Sequence, residues 1–168
     1  KQLIDLAVEA GADAVKFQKR TVASLAIKKS LDAPDDRFPE FGKTYREIRE
    51  HLEFNMAQYK EIKRYTEDRG LDFLCTAFDT DAADFLEELG IEIYKLASHS
   101  VTNIELLEYL ASTKKHSIMS TGMAELEEVR TAVKIFEKYK TPLLLLHCVS
   151  VYPTPLDECN LNMINVLK

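Results

Sequence analysis

The feature that most constrains this chain is a regular alternation of short apolar runs with amphipathic segments, punctuated by glycine. Leu3, Ile4, Ala7, Val8 and Ala10 have the three-to-four spacing of a helix that Gly11 is suited to stop. Asp13-Ala-Val-Lys-Phe-Gln18 then reads as a short strand. The spacing predicts a helix from Asn55, as N-cap, to Arg69, closed by Gly70. From there the order is regular: strand 71–78, helix 79–89 opened by Thr80 or Asp81 and closed by Gly90, strand 91–98. Thr102-x-x-Glu105 reads as a capping box for a helix to Ser112. Strand 116–121, helix 124–139 and strand 143–150 follow, and Tyr152-Pro-Thr-Pro155 is a rigid loop before a last helical stretch, 161–166.

Apolar strands that each lead into a helix imply an α/β fold, a parallel sheet covered by helices. Five strands fit an open doubly wound sheet, or about five βα units of a (β/α)8 TIM barrel, which needs ~250 residues. The chain starts with Lys1 in what reads as mid-helix and stops at Lys168 in an apolar-periodic stretch. A piece of a longer protein is therefore expected, residues 1–168 forming an incomplete barrel. Both architectures place chemistry at the carboxyl ends of the strands and in the loops that follow.

Composition narrows the function. With 22 Lys and Arg against 28 Asp and Glu, the net charge is -6, which disfavours nucleic acid, because phosphate backbones require a basic face. The apolar run Leu143–Leu146 is far short of the ~20 residues of a membrane span, so no membrane partner is expected. Three cysteines make no disulfide framework, and a reducing cytoplasm is the expected location.

The strand ends are polar: Lys16-Phe-Gln18, Thr76-Ala-Phe-Asp79, Lys95-Leu-Ala-Ser98, Ser120-Thr-Gly-Met123 and His147-Cys-Val-Ser150, leading to Tyr152. Two ammonium groups with a set of hydroxyls and turn N–H groups suit a small dianion, a phosphate or a carboxylate, and are expected to converge on one face. Each residue also has a plainer role: a lysine at a strand tip is commonly a snorkelling surface group. Asp79 and Asp81 suit helix caps, His147 a buried and satisfied histidine, and Cys75 and Cys148 small core residues. Cys159 is a loop cysteine. The stretch 19–54 is far longer than the usual βα loop of about 2–6 residues and is expected to form a lid or substrate-side wall. The charged face of 43–69 reads as solvated helix surface.

Ala14-Val-Lys-Phe-Gln18, Tyr45-Arg-Glu with His51-Leu-Glu53, Cys75-Thr-Ala-Phe78, Tyr94-Lys-Leu-Ala-Ser98, Ser120-Thr-Gly-Met123 and Leu146-His-Cys-Val-Ser-Val-Tyr-Pro-Thr-Pro155 together resemble the sialic acid synthase family. That family includes N-acetylneuraminate, legionaminate and pseudaminate synthases. The resemblance implies a barrel that condenses phosphoenolpyruvate with an N-acylated amino sugar of the N-acetylmannosamine type, releasing phosphate. It implies a divalent metal (Mn or Mg), no organic cofactor, and a homodimer at full length. Lys16 and Lys95 resemble the family's lysines for the phosphoenolpyruvate carboxylate and phosphate. Thr76, Ser98 and Ser120 resemble its hydroxyl contacts, Ser150 a position that is Asn or Ser, Tyr152 a sugar-side tyrosine, and Gln18 a member of the same motif.

Two departures accompany the resemblance. Where many members read Gly-Glu after the serine of the third strand, this chain has His99-Ser100. The family's metal-binding histidines, a first-strand glutamate and the C-terminal antifreeze-like domain are expected outside residues 1–168, and His147 matches neither metal ligand. Two rival readings remain open: a Schiff-base aldolase with Lys16 or Lys95 as nucleophile, and a catalytically incomplete binding or assembly segment.

Overall fold

In the computed structural model, which describes residues 1–168, the alternation is built as helices and parallel strands in two units, Lys1–Ile91 and Glu92–Lys168. The first unit contains α1 (Gln2–Glu9), β1 (Ala14–Lys19), α2 (Lys28–Leu31), α3 (Tyr45–Leu52), α4 (Met56–Asp68), β2 (Asp72–Ala77) and α5 (Thr80–Leu89). β1 and β2 pair in parallel, with Ala14 opposite Asp72 and Lys19 opposite Ala77. Because strand side chains alternate, Val15, Phe17, Phe73 and Cys75 share one face. There the Phe17 and Phe73 rings stack at 5.3 Å and Cys75 is fully buried. β2 lies against α4 and α5, whose Tyr59, Ala82, Ala83 and Leu86 are buried. The opposite face carries Lys16, Gln18, Leu74 and Thr76.

Helix ends follow local chemistry. Asn55 caps α4 as expected: its side chain accepts from Gln58 N at 3.0 Å, and the Gln58 side chain accepts from Asn55 N at 2.9 Å. Gly90 closes α5 at φ +73°, a left-handed conformation that costs a residue with a Cβ about 1–2 kcal/mol. The cap at the start of α5 is Asp79, not Thr80 or Asp81. Its Oδ1 accepts from Ala82 N at 2.7 Å, while the same carboxylate accepts from Thr21 N and Thr21 Oγ1 at 2.8 and 2.7 Å. That second task fixes the choice, because only Asp79 reaches both the helix and the segment after β1.

The stretch 19–54 is not a structureless loop. It holds a 3-10 turn at Val22–Ser24, the helices α2 and α3, and an antiparallel bridge between Pro34 and Thr44. Glu53 closes its base, with Lys19 Nζ and Arg20 Nη1 each 3.1 Å from the carboxylate and all three side chains largely buried. Lys19 and Arg20 also lie over the rings of Phe85 and Phe78, both at 4.7 Å.

The second unit contains β3 (Ile93–Leu96), α6 (Ile104–Ser112), β4 (His116–Ser120), α7 (Leu126–Tyr139), β5 (Leu143–Leu146) and α8 (Met163–Val166). β3 and β4 pair in parallel with Lys95 opposite Ile118, and β4 and β5 with Ile118 opposite Leu144 and Ser120 opposite Leu146. Tyr94, Leu96 and Met119 are fully buried, as are Leu106, Leu107 and Leu110 of α6 and Ala132 of α7; α6 and α7 pack together. Burying each large side chain contributes about 1.5–3 kcal/mol. The other face carries Ile93, Lys95, Ile118, Ser120, Leu144 and Leu146, so Lys95 sits among aliphatic neighbours.

Two expectations change in this unit, and one helix end is unusual. α6 is capped by Asn103, whose side chain accepts from Leu106 N at 3.2 Å, not by the Thr102–Glu105 box. Asn103 stands one residue nearer the helix, so the capped N–H is that of Leu106 rather than that of Glu105. β5 ends at Leu146 rather than Ser150, because its partner β4 ends at Ser120, and Thr121 N donating to Leu146 O (3.0 Å) is the last link. Helix α7 closes at Lys140, which takes φ +57° without being glycine.

Candidate active site

In the first unit, three of the expected residues share one face of the β1–β2 pair. Lys16 and Gln18 occupy alternate positions on β1 and are exposed, and Thr76, directly opposite Gln18, is 2% exposed. Tyr59 from α4 donates its hydroxyl hydrogen to Gln18 O at 2.7 Å, and Arg20 contacts the Gln18 side chain while paired to Glu53. Gln18 is thus fixed through its backbone and its side chain, whereas Lys16 projects from the strand.

In the second unit, Lys95 is 9% exposed, and its Nζ donates to Ser120 Oγ and to Leu96 O, both at 2.6 Å. An ammonium held this way keeps a hydroxyl oriented at a strand end. Ser98 opens the 3-10 turn Ser98–Ser100 after β3, and its Oγ is 3.2 Å from Cys148 Sγ. Gly122, in the turn after β4, donates its N–H to the same sulfur at 3.1 Å. A Cβ on Gly122 would stand 2.6 Å from Ser150 Oγ and 3.0 Å from both Cys148 O and Sγ, so the segment after β5 passes directly over this glycine. Lys95, Ser98, Ser120 and Ser150 are brought into one neighbourhood. Tyr152 is not fixed within it, being 95% exposed.

Cys148 is therefore no core residue, which corrects the sequence reading. It lies past the end of β5, half-buried, amid donors. Burial pushes its thiol up. The Ser98 hydroxyl, the Gly122 N–H, the Ser120 hydroxyl and the Thr121 N–H outweigh that and bring it below the usual thiol range. Cys75 contrasts with it: burial pushes its thiol up to about 12. His147 is half-buried with Nε2 2.8 Å from Cys159 O, the satisfied histidine expected. A cavity of about 480 Å³ lies beside this segment, lined among others by Gly122, His147, Cys148 and Ser150.

A match to the NeuB family model runs over residues 3–168. The chain belongs to the NeuB family. It is 33% identical over 165 residues to the N-acetylneuraminate-9-phosphate synthase of Homo sapiens, covering 98% of this chain and 46% of that protein. It is 34% identical over 172 residues to the N,N'-diacetyllegionaminic acid synthase of Campylobacter jejuni, covering 100% of this chain and 52% of that one. Among solved structures, the N-acetylneuraminic acid (sialic acid) synthetase of Leptospira borgpetersenii, crystallised with citrate, matches 99% of this chain and 54% of its own at a TM-score of 0.81 and 34% identity. The chain spans about half the length of the curated relatives it matches. With parallel strands each leading to a helix, its fold is an incomplete TIM-type barrel.

Within this NeuB-family chain, the residues that sequence reasoning missed are Gly122 as a contact point and Cys148 as a polar hub. Gly122 gave only a weak signal, since a glycine two residues past a strand also fits an ordinary turn. Cys148 gave no such signal, as its partners lie 26 and 50 residues away. No three His, Cys, Asp or Glu side chains gather in a way that could hold a metal ion. The divalent metal implied by the resemblance has no ligand set among residues 1–168.

Proposed function

We propose that the intact protein condenses phosphoenolpyruvate with an N-acylated amino sugar of the N-acetylmannosamine type, giving a nonulosonic acid and inorganic phosphate. C3 of the enol ester forms a bond to the aldehyde carbon of the open-chain sugar, water oxygen adds at C2, and the C2–O bond to phosphate breaks. Lys95, Ser98, Ser120 and Ser150 are assigned to binding and orienting phosphoenolpyruvate, and Lys16, Gln18 and Thr76 keep the role that the resemblance implies for them. Tyr152 is assigned to the sugar side. A divalent metal, a homodimeric state and a cytoplasmic location belong to the same proposal; the steps given to this chain's side chains are binding and orientation only.

The observation that carries this reading is the Lys95 ammonium, buried at a strand end and bonded to Ser120 Oγ at 2.6 Å, in a chain of the NeuB family. The test is Lys95→Met in the full-length protein, supplied with phosphoenolpyruvate, an N-acyl mannosamine and manganese. The methionine keeps the aliphatic stem beside Ile118, so the fold stands while phosphate release falls at least about a hundredfold. Near-normal kcat/KM in that variant overturns the assignment. Borohydride reduction in the presence of pyruvate leaves Lys16 and Lys95 unmodified, since this route forms no imine; a trapped adduct on either would make the Schiff-base reading correct.

A further inference from the structure

The sulfur of Cys148 is a meeting point for three separate turns of the second unit. Ser98 Oγ, from the turn after β3, lies 3.2 Å from it, and Gly122 N, from the turn after β4, lies 3.1 Å from it. Cys148 itself belongs to the segment after β5, and the Ser120 hydroxyl that Lys95 holds faces the same sulfur. A thiol has one hydrogen to give and lone pairs to accept with. Gly122 has only a hydrogen to give, so the sulfur accepts there; its own S–H is then free to point at Ser98 Oγ. A serine oxygen that accepts one hydrogen bond still has its own O–H to aim elsewhere.

We propose that Cys148 is a positioning residue: Gly122 N–H to sulfur, and S–H to Ser98 Oγ, form a relay that leaves the Ser98 O–H directed outward for an oxyanion of the bound substrate. The inference rests on the phosphoenolpyruvate reading above and adds to it a group that touches no substrate. It accounts for two features together. Gly122 lacks a Cβ where one would strike Cys148 and Ser150, and the 147–150 segment leaves the β5 ladder to lie over it. The relay works only with the thiol protonated. A thiolate would accept from Ser98, turn that hydroxyl inward and place a negative charge beside the anion. The ionisable groups around the sulfur are Lys95 of β3 through Ser120, its neighbour His147, and Asp157 and Glu158, which line the same cavity.

The experiment is calorimetric titration of phosphoenolpyruvate into the protein and into Cys148→Ala and Cys148→Ser, from pH 6 to 9. The alanine variant should bind about tenfold more weakly at pH 6, as expected for a lost hydrogen bond that orients a group contacting an anion. The serine variant, which keeps a donor and an acceptor, should bind within about threefold of the parent. Affinity of the parent should fall toward alkaline pH, and that fall should be absent in Cys148→Ser, which has nothing to ionise. Equal affinity of alanine variant and parent, or the same alkaline fall in parent and serine variant, overturns the relay. If the parent binds no phosphoenolpyruvate at all, the functional reading falls. The relay is then decided by amide exchange at Gly122: at least about tenfold faster in Cys148→Ala than in the parent and Cys148→Ser supports it, and unchanged exchange overturns it.

Discussion

Gly122→Ala probes the tightest backbone crossing around the candidate site. Its new Cβ would lie 2.6 Å from Ser150 Oγ and 3.0 Å from Cys148 O and Cys148 Sγ, where ordinary contact begins at 3.4 Å. Ser150 can rotate away, being a side chain on an exposed segment, but Cys148 O is backbone. The segment must therefore back off by about 0.4 Å, which lengthens the Gly122 N–Sγ bond at the same time. Overpacking of this kind costs about 1–3 kcal/mol, or a fall in melting temperature of about 2–4 °C per kcal/mol for a chain of this size. The assay is urea unfolding followed by far-ultraviolet circular dichroism, with two comparison variants. Gly90→Ala meets nothing within 4 Å and tests the cost of φ +73° alone. Adding Ser150→Gly to Gly122→Ala removes the 2.6 Å contact and should recover only part of the loss, because the carbonyl contact remains. If Gly122→Ala loses less than about 0.5 kcal/mol, or Ser150→Gly restores all of it, the argument from the backbone carbonyl is wrong.

Two further outcomes follow from the first unit. Asp79→Ala removes the α5 cap and both Thr21 bonds, so urea unfolding should show a loss of about 2–3 kcal/mol, whereas Asp79→Asn, which keeps a capping oxygen, should lose about half as much. Burial raises the Cys75 thiol from its ordinary 9.0 to about 12, so the unfolded chain releases that proton first as pH rises; stability is intact below pH 9 and falls through the window from 9 to 12 by up to about 1.4 kcal/mol per pH unit, a slope that Cys75→Ala should reduce in unfolding curves taken across that range.

The fold was legible wherever its cause was local. Asn55 with Gln58, and the glycines after α1, α4 and α5, sit within a few residues of the ends they make, and periodicity located every strand. The misreadings share a different property. Among the cap candidates Asp79, Thr80 and Asp81, the choice of Asp79 depends on Thr21, 58 residues earlier, which also bonds to it. β5 stops at Leu146 because β4 has no residue left to pair with, a fact held by another strand. The stretch 19–54 looked like loop because α2 and α3 are short and its closure depends on Glu53 meeting Lys19 and Arg20 across more than thirty residues. Periodicity carries no information about such closures.

The candidate site divides along the same line. Residue types at strand ends could be read directly, because the parallel α/β rule says where to look, and Lys95 with Ser120 forms a bonded pair across neighbouring strands. What could not be read was the order of dependence among them. Cys148 lies one residue beyond the run of four leucines, after His147, which suggests a strand interior, and only the exit of the chain from the ladder at Leu146 turns it toward Ser98 and Gly122. That exit in turn needs a residue without a Cβ beneath it. On the proposed relay, the Ser98 hydroxyl is set by a glycine and a thiol, so substitutions at Gly122 and Cys148 should change affinity through Ser98.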